Sequence, residues 1–198
     1  MGRVLRGTLI WGALVLSMSV PLIAAGMSPL LAWRDPVYIV AGFAGVIGLA
    51  LLVLQPLLAA GALPGVPGAR GRRVHRWVGA SLIAAILVHV IGLWLTSPPD
   101  VIDALLFVSP TPFSAWGVIA MWCAFGAALL AVFRRKLRLH PRLWRGFHMS
   151  LACVIVGATA IHAVLIDGTM EPITKAALCA VAVLATALAA VRITARRR

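Results

Sequence analysis

An all-α bundle of six membrane-spanning helices is the fold this sequence predicts, and three observations predict it. The chain of 198 residues is 62% hydrophobic, with a mean hydropathy of +1.03, far outside the usage of a soluble globular domain. Six apolar stretches, at about 8–27, 37–60, 74–95, 113–133, 146–166 and 172–191, reach the roughly 20 residues that cross the hydrocarbon. The charges are sorted between alternate connections, as they are in a chain that crosses the bilayer repeatedly.

In chain order, Arg3 and Arg6 precede the first span. This start resembles a signal peptide, with cleavage near Ala24, Ala25 or Gly26, but the apolar run is long for one, and a retained helix is expected. The second span runs into the Gly- and Pro-rich stretch 61–71 (GALPGVPGARG), expected to be a loop. Arg70, Arg72, Arg73 and Arg76 lead into the third span. Segments 97–99 and 109–112 also read as loops. Between them, Val101, Ile102, Leu105, Leu106, Phe107 and Val108 make a connection too apolar for simple solvation, expected to lie along the outer interface or to fold over the bundle's end. Arg134, Arg135, Lys136, Arg138, His140, Arg142 and Arg145 join the fourth span to the fifth, and Arg192, Arg196, Arg197 and Arg198 follow the sixth. Pro21 and Pro56 fall inside spans, where neighbouring helices can satisfy the freed carbonyls. Trp33, Trp94 and Trp116 near outer ends, and Trp77 and Trp144 near inner ends, read as interfacial anchors. With little left between the spans, residues 1–198 are expected to form one domain.

Six crossings put all but two of the 18 Lys and Arg on one side. The other side holds Arg34, Lys175 and all five acids, Asp35, Asp100, Asp103, Asp167 and Glu171. The positive-inside rule therefore predicts a multi-pass protein of the cell (inner) membrane with both termini cytoplasmic. A net charge of +13 would otherwise suggest nucleic acid, but charges sorted by loop address orientation and lipid, so lipid and not nucleic acid is the expected partner. Cys123, Cys153 and Cys179 stand alone in apolar spans with no CxxC or CxxCH, and are expected to be inert.

Ionisable groups at membrane depth are expensive and usually functional. Four histidines lie in spans, His75 and His89 on the third, His148 and His162 on the fifth, and each pair is 14 residues apart. Two heptads return to one face in a left-handed bundle, and even a straight helix ends within ~40° of its starting direction and ~21 Å further along. The third and fifth spans both start at a basic loop and run in parallel, so His75 should meet His148 near the inner surface and His89 should meet His162 near the outer. Two opposed imidazoles supply the axial ligands of a six-coordinate haem, so two pairs imply two non-covalent haems b. Gly79, Ala85, Gly92, Ala152, Ala158 and Thr159 lie near the ligand directions and offer room for a flat macrocycle, though small residues equally serve helix packing. Arg72, Arg73, Arg76 and Arg145 are candidate partners for propionates at the inner level. His140, beside Pro141 in a solvated basic loop, is expected to hold no haem.

With RRVHRWVG and LVHVIGLW on the third span, and WRGFHMS and AIHAVLIDGTME on and beyond the fifth, the chain resembles the ferric reductase-like transmembrane domain family. That family includes the membrane domains of NADPH oxidases and metalloreductases and the haem subunit of the bacterial methionine-sulfoxide reductase system. The resemblance implies stacked haems ligated by the residues matching His75, His89, His148 and His162. Oxidases and reductases of the family continue into a cytoplasmic FAD- and NADPH-binding domain, whereas this chain ends at TARRR and contains no Gly-rich nucleotide fingerprint.

The expected function is a di-haem subunit that carries electrons from a separate donor, a flavin reductase or quinol, to an extracytoplasmic acceptor such as ferric iron, oxygen or a redox partner. No side chain reads as a general acid, base or nucleophile, so catalysis by the chain alone stays open. A histidine-dependent transition-metal transporter is the alternative; it requires ligands converging on one site, with carboxylates mid-span, and no Asp or Glu lies there. A non-catalytic membrane scaffold would leave the histidine spacing without a reason.

Overall fold

Proline opens five of the seven α-helices, because at the first turn it gives up no hydrogen bond and its φ is preset for the helix. The computed structural model describes residues 2–195. It contains α1 (Gly2–Gly26), α2 (Pro36–Ala59), α3 (Gly68–Thr96), α4 (Pro98–Leu105), α5 (Pro112–Phe133), α6 (Pro141–Leu165) and α7 (Pro172–Ala195), with a 3-10 turn at Pro29–Leu31. The basic residues Arg196, Arg197 and Arg198 lie outside the described residues. Side chains complete the helix starts: Asp35 accepts the Val37 N–H at 2.7 Å, and His140 accepts the Arg142 N–H on Nδ1 at 3.3 Å. His140 is thus a helix cap.

Six of these helices are long and apolar enough to cross a membrane, as the sequence predicts, and the described residues contain no strand. The structure corrects the boundaries. α3 begins at Gly68 and α6 at Pro141, earlier than the spans at 74 and 146, so Arg70, Arg72, Arg73, Arg142 and Arg145 ride on helix. An apolar window reports the hydrocarbon crossing, whereas intrahelical hydrogen bonding continues past it into the headgroup region. The loop at 61–71 accordingly shrinks to its first half, turning at Gly61 and Gly65 with φ of 58° and 74°. Pro98, Pro99 and Pro112 start helices instead of lying in loops, and the apolar connection is the amphipathic helix α4, with Val101 buried and Ile102 exposed.

Neighbouring helices are antiparallel, so the ends of the bundle can be named by charge. The basic end carries the α2–α3 and α5–α6 turns; the acidic end carries α4, Asp35 and Glu171. α2 packs on α3, and α5 on α6, as two hairpins. They meet through α2 with α6 and α3 with α5, which puts α3 and α6 on a diagonal where they do not pack closely on each other. α7 fills the groove between α2 and α6, and α1 lies outside it. The core gathers where α2, α6 and α7 meet, around Val53, Val156, Leu178 and Ala182. Lys175, counted among the charges of the outer side, is buried in the first turn of α7, where Nζ donates to the Ile166 carbonyl at 2.6 Å and ties α7 to the end of α6. Apolar side chains such as Leu16, Ile91 and Leu184 point outward, as a lipid solvent permits.

Candidate metal centre

The diagonal between α3 and α6 is bridged by histidines. At the basic end the ring centres of His75 and His148 are 6.2 Å apart, with planes at 73°. At the acidic end those of His89 and His162 are 6.5 Å apart, at 83°. Two metal–imidazole bonds of ~2 Å each, plus ~1.1 Å from ligating nitrogen to ring centre on both sides, come to about 6.2 Å. Both separations therefore fit one metal ion held between two imidazoles.

The neighbouring helices orient the rings. His89 Nδ1–H donates to the Ala41 carbonyl of α2 at 2.7 Å, and His162 Nδ1–H to the Phe113 carbonyl of α5 at 2.8 Å. His75 Nδ1–H donates to the Gln55 carbonyl at 3.1 Å, and the Gln55 amide returns a bond to the His75 carbonyl at 3.2 Å. A carbonyl can only accept, so Nδ1 carries the proton in all three rings and Nε2 keeps the free lone pair that a metal ligand needs.

His148 differs. Its ring stacks on Trp144 at 5.4 Å and 16°, and the Arg134 guanidinium lies over the other ring of that stack, 5.1 Å from the Trp144 centroid. Trp144, read from the sequence as an interfacial anchor near the inner end of its span, thus also packs against an imidazole. His148 Nδ1, Trp144 Nε1 and Gln55 Oε1 are the buried side-chain polar atoms left without a partner among the described residues. All three belong to residues around the basic-end pair, and each unmet bond costs about 1–3 kcal/mol. An unmet Trp144 N–H, an unmet Gln55 carbonyl oxygen and a free imidazole nitrogen at this level suit a polar group brought by a bound cofactor.

The arginines divide. Arg73 and Arg76 line a surface pocket with Trp77 and Ala80. Arg72 and Arg145 are also exposed at the basic end. The small residues expected to make room for a macrocycle mostly serve packing: a Cβ on Gly92 would stand 2.7 Å from the Ala41 Cβ, one on Gly79 would stand 3.0 Å from Gln55 Nε2, and Ala85 lines an apolar groove between α2 and α3. Ala158 is buried, and Ala152 and Thr159 are half-buried.

Sequence reasoning missed Gln55, Trp144 and the accepting carbonyls. One signal existed: the two hairpins correspond in register. Ala41 and Gly45 of α2 map onto Phe113 and Gly117 of α5 at an offset of 72 residues, and His75 and His89 map onto His148 and His162 at 73.

Fold and site together define a multi-pass membrane protein with two levels of opposed imidazoles at its centre. A family model described as Ferric reductase like transmembrane component matches residues 41–159, more than half of the chain, and the protein belongs to that family. Domains of this family generally bind haem. The match contains His75, His89 and His148 and ends just before His162. Comparisons with curated proteins and with solved structures return no match.

Proposed function

We propose that the protein is a di-haem b cytochrome subunit that passes electrons across the cell (inner) membrane, with His75 and His148 holding the inner haem and His89 and His162 the outer. The observation that carries the reading is that both histidine pairs stand at bis-imidazole separation with three of the four Nδ1 protons committed to carbonyls. The basic end lies in the cytoplasm, by the sorting of charge. When bound, each haem supplies a one-electron couple. The chain's own residues hold the imidazoles at two depths and fix the tautomers of His75, His89 and His162. Arg72 and Arg145, with Arg73 and Arg76 as further candidates, and the unpaired Trp144 N–H are suited to receive propionates at the inner level.

Electrons enter from a separate donor, a flavin reductase or a quinol, at the basic end of the bundle, where Arg72 and Arg145 are exposed. They leave to ferric iron, oxygen or an extracytoplasmic redox partner. A transition-metal carrier would gather three or more ligands, and among the described residues no three His, Cys, Asp or Glu side chains converge. Protein purified from haem-replete cells should contain two acid-extractable haems b per chain. A haem content near zero would refute the reading.

A further inference from the structure

The two outer histidines are seated by one device used twice. In an α-helix the carbonyl of residue i points at the N–H of residue i+4, so a ring that donates to that carbonyl from outside must lie over residue i+4. The acceptors are Ala41 for His89 and Phe113 for His162, and the residues four further on are Gly45 and Gly117. A Cβ on Gly45 would stand 3.0 Å from both Nδ1 and Cε1 of His89. On Gly117 it would stand 2.7 Å from the same atoms of His162. The rings occupy the space that the two missing side chains leave.

The inner level lacks this arrangement. Gln55 accepts from His75 at the longer distance of 3.1 Å, and the residue four on is Ala59, the last of α2. The register of the hairpins pairs Gln55 with Ala127, whose i+4 residue is Ala131, and His148 Nδ1 has no partner.

We propose that Gly45 and Gly117 are positioning residues that let both outer imidazoles keep a short Nδ1–H···O=C bond and thereby lower the reduction potential of the outer haem. The inference rests on the di-haem reading. A ring whose Nδ1 proton is shared with a carbonyl has imidazolate character and donates more strongly through Nε2, which favours the ferric state. An added methyl tilts the ring off its carbonyl, weakens that donation and favours the ferrous state.

The test is an anaerobic spectroscopic redox titration of the holoprotein and of four variants. Gly45→Ala and Gly117→Ala should each raise the ratio of reduced to oxidised haem at fixed potential by about tenfold, about 59 mV for one electron, for the haem that His89→Ala removes. Gly42→Ala and Gly126→Ala lie on the same two helices, where an added Cβ meets nothing within 4 Å, and should move neither haem. The inner haem is an internal control in every sample. Should Gly117→Ala shed its outer haem alone, that selective loss also supports the seating, and Gly45→Ala, with slightly more room, carries the titration. Retained haems with both potentials unmoved would overturn the proposal, as would a shift of the inner haem or indiscriminate loss of both. Wild-type protein without haem would instead refute the functional reading beneath it.

Discussion

Removal of single histidines is the sharpest probe of ligand pairing. His75→Ala and His148→Ala should each remove the inner haem, and His89→Ala and His162→Ala the outer, so every variant should fall from two haems per chain to one. The geometry sets this result. Ring centres within a level are 6.2 and 6.5 Å apart. The two histidines of one helix are 14 residues, or ~21 Å of rise, apart. Two metal–imidazole bonds reach only ~4 Å between nitrogens, so no single iron can exchange a ligand of its own level for one of the other. A pyridine haemochrome assay against protein concentration gives the stoichiometry, and low-temperature spectra of each variant show which of two distinct haem signals remains. The double variant His75→Ala/His148→Ala should look like either single one. If His75→Ala and His89→Ala abolish the same signal and leave the same one, pairing by depth is wrong.

A reporter fused after Arg198 should be active only in its cytoplasmic form, and periplasmic activity would reverse the direction of electron flow proposed above. If the basic turn after α5 attracts an acidic flavoprotein, replacing Arg135, Lys136 and Arg138 by Gln should slow reduction by that protein about tenfold at low ionic strength, with the difference vanishing once the Debye length falls below ~8 Å. Reduction by a small uncharged reductant should not change, and a variant with correct insertion and wild-type rates at every salt concentration would make the patch a topology signal alone. Glu171 accepts the N–H groups of Ile173 and Thr174 at 2.8 and 2.7 Å, and these bonds hold its carboxyl below its ordinary value. A lowered pKa contributes stability that is complete above the unfolded value and lost as pH falls through the folded one. Amide protection at the start of α7 should therefore drop on acidification in the wild type and stay flat in Glu171→Gln.

The six spans and the meeting of His75 with His148 and of His89 with His162 were legible because both depend on local, additive properties. Apolar length reports a crossing, and 14 residues of helix report a direction and a depth whatever the neighbours do. What orients the rings was not legible, because a backbone carbonyl is the same at every residue and leaves no trace in the acceptor's identity. Ala41 and Phe113 share nothing but their place in the two hairpins. Gly45 and Gly117 act by what they lack, and glycine is common in membrane helices for packing alone. The stack of Trp144 on His148 escaped for a related reason: a Trp near the end of a span fits the interface as well as it fits such a stack, and only the rotation of α6 decides. The extra turns of α3 and α6 escaped because arginine-rich helix continues where hydropathy has already dropped.

The hairpin register also constrains how such a protein can be made. Each hairpin brings one imidazole to the inner level and one to the outer, so neither hairpin alone holds both ligands of any metal. While the chain emerges from the ribosome, α2 and α3 can insert and close on each other, but iron captured then would meet half a site at either depth. Both levels are completed together, when α6 arrives alongside α3. On the di-haem reading, loading with cofactor would therefore wait until the whole quartet α2, α3, α5 and α6 is in the bilayer, and a product truncated before α6 would hold no complete pair of ligands.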